Sequence, residues 1–218
     1  MGIFSKSPEA AQTAVTKAEG EVMEWEAKAA AARAEASRLD AESGATILED
    51  PSAAERVTLS IQAQERTARA YDGAAAAARK KLRAAQRDAL EAEAREEDKL
   101  TAAATKALKA HNDKVDGLLK ALQDLDGCEY APAPSKADAG GSQIPKSTGL
   151  WRTIREHEIR AALIRYFIAT GKITHEIYEL NTELGTNFQN LMRTIPGEGI
   201  EIPASIVAAR NAGISFTE

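Results

Sequence analysis

The side chains able to do covalent, metal or acid–base chemistry are few and widely spaced. The chain has three histidines, His111, His157 and His175, and a single cysteine, Cys128. A catalytic metal or general-base site needs such groups at fixed short spacings, for example two histidines four apart on one helix face. His157 follows Glu156 on an amphipathic stretch and has no metal-ligand spacing with His175, while His111 falls in a hydrophobic repeat, where a polar residue sets register. Cys128 borders a proline- and glycine-rich segment, with no histidine placed by the sequence to activate it, and one cysteine excludes an intramolecular disulfide. The sequence contains no glycine-rich phosphate loop, paired-cysteine zinc pattern or nucleophile elbow. The expectation is a chain without catalytic residues, metal or cofactor, and so not an enzyme.

Recognition chemistry is better represented. In residues 179–195, Leu180 and Leu184 precede Gly185, and Leu191 and Ile195 follow it, so that two short helices would lock together across a glycine turn. This resembles a helix-turn-helix. The resemblance implies that Asn187, Gln189, Asn190 and Arg193 face outward, where amides and a guanidinium contact a partner or read base edges. Asn181 stands where that motif usually has a small residue, and residues 151–218 hold seven Lys/Arg against eight Asp/Glu, which gives little attraction for phosphate. Docking on a protein is therefore the first expected use of this segment, and DNA the second.

The elements that would carry these groups are helical from Pro8 to Asp126. Ser7 and Pro8 suit an N-cap and first helical position. A seam then runs Ala11, Val15, Ala18, Val22, Trp25, Ala29, Ala32, Ala36, Leu39, alternating four and three as in a coiled coil. The spacing predicts a stop near Ser43 and Gly44 and a restart at Asp50 and Pro51. A second seam follows: Val57, Ile61, Gln64, Ala68, Tyr71, Ala75, Ala78, Leu82, Ala85. Folded antiparallel, the two seams set Leu39 against Val57, Trp25 against Tyr71, Ala18 against Ala78 and Ala11 against Ala85.

Beyond residue 88 the first helix offers no partner, and the pattern drifts through an acidic run before a new seam appears at Thr101, Ala104, Leu108, His111, Val115, Leu118, Leu122 and Leu125. An amphipathic helix gains too little alone to leave Leu108, Val115, Leu118, Leu122 and Leu125 in water. Either the helix breaks near 96–99 and folds back into a three-helix bundle, or it continues and meets another subunit. The basic block Arg79, Lys80, Lys81, Arg83, Arg87 followed by Asp88, Glu91, Glu93, Glu96, Glu97, Asp98 suggests an antiparallel dimer centred near residue 89, or else a solvated face.

Three segments result: a coiled-coil rod over 1–127, a Pro/Gly/Ser-rich flexible linker over 128–149, and a small helical module over 150–218. The module's expected helices are about 150–170, 174–184 and 187–195, with another from Pro203 to Asn211; Gly127 is expected to end the second helix of the rod, and Gly171 and Gly185 to serve as C-caps in the module. The fold class is all-α: a long antiparallel coiled-coil hairpin with an extended second helix, then a small, mainly helical C-terminal module. Net charge is −5, aromatics are 5% of the residues, and no apolar run approaches the ~18 residues of a membrane span, which leads to a cytoplasmic, reducing setting with no membrane partner. A rod, a tether and a compact C-terminal helical module together resemble phage scaffolding or head-assembly proteins. That layout implies a chain that oligomerises through its coiled coil and docks on coat protein, as an assembly intermediate or virion component. The alternative is an oligomeric DNA-binding regulator that uses the helix-turn-helix.

Overall fold

In a computed structural model the protein is all-α, and the structure describes residues 7–127, 146–174, 177–185 and 201–216. The elements are α1 (Pro8–Glu49), one 3₁₀ turn (Pro51–Ala53), α2 (Ala54–Asp126), α3 (Lys146–Thr170), α4 (Ile177–Leu184) and α5 (Ala204–Asn211). The chain divides into two compact units, Met1–Ala89 and Leu90–Glu218, and α2 belongs in part to each.

The first unit is an antiparallel hairpin of α1 with the opening half of α2. Ser7 accepts a hydrogen bond from the Ala10 amide at 3.3 Å, and Pro8 occupies the first helical position. Buried along α1 are Ala11, Val15, Ala18, Val22, Ala29, Ala32 and Ala36, and facing them on α2 are Ala68, Ala75 and Ala78. The remaining seam positions of both helices are half-buried. Trp25 and Tyr71 meet at one level, with ring centroids 5.7 Å apart. The Lys28 ammonium lies 4.3 Å from the centre of the Trp25 ring. Arg33 reaches Asp72 at 2.5 Å, Lys81 reaches Glu21 at 3.8 Å, and Arg79 pairs with Glu26. These exposed pairs contribute little apiece, and they run in antiparallel order along the two helices.

The first helix does not stop at Ser43 and Gly44 as its spacing predicts; it continues to Glu49. Gly44 is not among the glycines with positive φ, so it is carried as an ordinary helical residue. The stop falls to Asp50, whose amide donates to the Thr46 carbonyl at 3.0 Å. Its carboxylate accepts from the amide and hydroxyl of Ser52 at 3.0 and 2.6 Å, which starts the turn into α2 and holds that carboxyl below the usual range. The restart at Asp50 and Pro51 expected from sequence is thus observed, and it follows α1 directly through a short, polar Asp-Pro-Ser junction.

The second unit is built around α3. On it Ile159, Ala162, Leu163, Ile164, Tyr166, Phe167 and Ile168 are buried, on all sides of the helix, which makes α3 the centre of this core. Leu180 of α4 and Ile206 and Ala209 of α5 cover it, and Phe216 meets Phe167 edge to face with centroids 6.2 Å apart. Gly171 and Gly185 take positive φ, 68° and 64°, and end α3 and α4 as expected from sequence. Gly127 does the same for α2, its amide donating to the Gln123 carbonyl at 2.8 Å.

The remaining wall of this core comes from α2 itself, through Leu90 and Ala94. Around them the acidic run is engaged within the chain. Glu93 accepts from the Ser205 hydroxyl at 2.9 Å, Asp98 holds Arg165 with two hydrogen bonds, one of them 3.2 Å, and Glu97 contacts Nδ1 of His157. This differs from the dimer centred near residue 89: the acidic partners are His157, Arg165 and Ser205, and Arg79 and Lys81 are paired with α1. Nor does α2 break at 96–99. It passes through that stretch as helix to Asp126.

Two outcomes follow from these packings. Ala29 is 1% exposed in a seam lined by alanines, so Ala29→Leu should force the helices apart and destabilise the hairpin by about 1–3 kcal/mol. Trp25→Ala should cost about 2 kcal/mol, less than for a fully buried indole because Trp25 is half-buried. Thermal melts followed by far-UV circular dichroism check both; unchanged melting for either variant would contradict the register. Ala94 is 0% exposed, and Ala94→Arg should destabilise the second unit by about 3 kcal/mol or more through overpacking and a buried charge. Hydrogen exchange would report lost protection in α3 and α5, with the amides of residues 7–80 unchanged.

Candidate functional site

The described residues contain no group of three or more His, Cys, Asp or Glu that would hold a metal ion. His157 is held by Glu97 between α2 and α3, and Arg155 pairs with Glu158 at 2.6 Å while lying 5.0 Å from the Trp151 ring centre. His111 is half-buried on the distal part of α2. A shallow groove lined by Ser52, Glu55, Arg56, Leu59, Ser60 and Ala63 opens at the start of α2, and all of its lining residues are exposed or half-buried. Among the described helices none is long and apolar enough to cross a membrane.

Among the described residues, three large apolar side chains stand exposed in succession on the distal part of α2. Leu118 is 68% exposed, Leu122 43% and Leu125 79%, whereas Leu108 and Val115 are half-buried. The half-buried row reads Thr101, Ala104, Leu108, His111, Val115, Leu119, and so departs from the seven-residue repeat at its last step, where it takes Leu119 in place of Leu118. A heptad read on an α-helix drifts by about 20° per repeat, which explains the change of residue after two repeats. The sequence seam is therefore split: Leu108 and Val115 lie in a partly covered row, and Leu118, Leu122 and Leu125 stand in water.

Charge is unevenly divided along this stretch. Residues 101–112 include Lys106 and Lys109 and no carboxylate, while residues 113–126 include Asp113, Asp116, Asp124 and Asp126 against Lys114 and Lys120. The last turn of α2 has no basic residue, so Asp124 and Asp126 lie at the negative end of the helix macrodipole. Exposed leucines at an unfavourably charged helix end form a surface that gains from a partner on both counts.

Where the resemblance placed its first helix, α4 spans Ile177–Leu184, Leu180 is fully buried in the core, Leu184 packs at its edge, and Gly185 has φ 64°. Asn187, Gln189, Asn190 and Arg193, with Leu191 and Ile195, lie outside the described residues. So does the Pro/Gly/Ser-rich stretch from Cys128 onward, although α3 begins at Lys146, four residues before the helix start expected at 150. Sequence reasoning missed the surface formed by Leu90 and Ala94. Their spacing of four was the available signal, obscured by the glutamates between and after them.

Compared with protein-family models, with curated proteins and with solved structures, the chain matches none.

Proposed function

We propose that this chain is a non-enzymatic structural or assembly protein that self-associates through the distal part of α2 and holds a protein partner with its C-terminal unit. The observation that carries this reading is the exposure of Leu118, Leu122 and Leu125 together on one helix. Fully burying a leucine contributes about 1.5–3 kcal/mol, so the three supply a driving force of several kcal/mol for association. Scattered exposed leucines are ordinary on a protein surface, but three at heptad spacing on a helix present one continuous strip.

Self-association gives the C-terminal unit its use. Each copy contributes one unit, and weak contacts made by each become strong when several act together. This is the logic of the phage scaffolding and head-assembly proteins that the layout resembles, and a coat-like protein is the partner class it indicates.

The test is sedimentation velocity of the full chain and of a Leu118→Asp/Leu122→Asp variant, each with and without a labelled DNA duplex at low and moderate salt. The full chain should sediment as an oligomer, the variant as a monomer with unchanged helical content, and neither should shift the duplex. Equal masses for the two proteins would rule out the distal seam. A salt-sensitive shift of the duplex would replace the assembly reading with that of a DNA-binding regulator.

A further inference from the structure

We propose that the outward face of α2 in the first unit, residues 66–87, docks an acidic α-helix of a partner protein. This surface is separate from the self-association proposed above and does not rest on it.

The face carries a single row of cations. Arg66, Arg69, Gly73, Ala76, Lys80, Arg83 and Arg87 follow one another in steps of three and four, and all are exposed. From Arg66 to Arg83 each lies two residues before a seam position of α2, about 200° round the helix, and so on the side turned away from α1. Five positive charges thus lie along about 32 Å of one helix face.

The hairpin leaves this row uncompensated. Elsewhere in it Lys28, Arg33, Arg38, Arg79 and Lys81 each reach a carboxylate. On the row only Arg69 does, at 3.7 Å from Glu65, and among the described residues Arg66, Lys80, Arg83 and Arg87 pair with none. Asp72, beside the row, is taken by Arg33. Asp88 leaves the helix about 100° round from Arg87, and Glu91 closes the row one turn beyond it.

Two features of the row disfavour the free helix. Like charges three or four apart on a helix repel, as at Arg66 with Arg69, Lys80 with Arg83 and Arg83 with Arg87. Gly73 is the second, because glycine inside a helix loses more conformational entropy than alanine does. A Cβ at Gly73 would meet nothing within 4 Å, so no packing inside the chain calls for glycine there. An acidic helix laid on this face answers both. Its carboxylates neutralise the row, and Gly73 with Ala76 lets the two axes come close at the middle.

The straightness of the row selects the partner. A strand of duplex nucleic acid makes nearly a full turn in about 34 Å, so its phosphates leave a straight row after a few contacts. A helix with Glu or Asp at heptad spacing stays alongside from end to end. The hairpin already uses this pairing between its own helices, in Arg79 with Glu26 and Lys81 with Glu21. A second copy is a poor source of such a helix, since Glu93, Glu97 and Asp98 are engaged in the second unit, and Glu35 and Glu42 by Arg38.

The experiment compares the full chain with a Lys80→Glu/Arg83→Glu variant, whose fold is checked by thermal melting. The probe is a fluorescent, alanine-based helical peptide with glutamates at alternating three- and four-residue spacing. Its control has the same composition with the glutamates spread round the helix. By fluorescence anisotropy at low salt, the full chain should bind the probe at least about tenfold more tightly than the control, and the variant should lose that preference. No binding, equal binding of the two peptides, or a preference kept by the variant would each overturn the proposal. A salt-sensitive shift of a DNA duplex that the variant abolishes would make phosphate the occupant and overturn it. A smaller mass for the variant than for the full chain in sedimentation would make a second copy the occupant, and overturn it too.

Discussion

The backbone hydrogen-bond ladder of α2 is the constraint on which the other features depend. No proline interrupts the chain from Ser52 to Asp126, and so each side chain leaves the helix axis at an angle fixed by its number, about 100° per residue. A helix of this kind cannot keep a seven-residue repeat on one face indefinitely without supercoiling around a partner. In this chain different stretches serve different partners. Ala68, Ala75 and Ala78 are buried against α1, Leu90 and Ala94 in the core around α3, and Leu118, Leu122 and Leu125 are exposed to water.

The two units use different chemistry to bury these faces. In the hairpin, alanine dominates both seams, and each methyl contributes only about 0.8 kcal/mol on burial. Stability then comes from length and from high helix propensity, since alanine loses no side-chain entropy in a helix. Trp25 and Tyr71 are the exception: one bulky level that opposes sliding of the alanine surfaces past each other. The second unit depends on a few large side chains, with Leu163, Ile164, Phe167, Leu180 and Ile206 almost wholly buried. Its α4 and α5 have eight residues each, too short to be stable in water alone, so they depend on that core.

What was legible in the sequence follows from the same difference. The hairpin repeats its pattern over many turns, so Ala11 to Leu39 and Val57 to Ala85 could be read twice over, and the meeting of Trp25 with Tyr71 followed from aligning them. The glycines at 127, 171 and 185 were legible because positive φ at a helix end is a local demand that few other residues meet. The end of α1 was not, because Gly44 alone does not stop a helix when Asp50 and Ser52 provide a stronger cap six residues on. The core around Leu90 and Ala94 was hidden for a different reason. Two apolar residues have no period, and the acidic side chains around them suggested a solvated face. The candidate contacts Asn187, Gln189, Asn190 and Arg193 rested on a resemblance that lies for the most part outside the described residues.

That acidic run alters how charge is to be read along the whole helix. Glu93, Glu97 and Asp98 reach Ser205, His157 and Arg165, and Arg79 and Lys81 reach Glu26 and Glu21. Pairs of this exposure add little free energy singly, but they orient surfaces that meet through only a few apolar atoms. Leu90 and Ala94 are a narrow contact by themselves, and the flanking carboxylates fix which way α3 and α5 lie upon it. Charges engaged within one chain are poor instruments for recognising another, because a second partner would first have to displace the first.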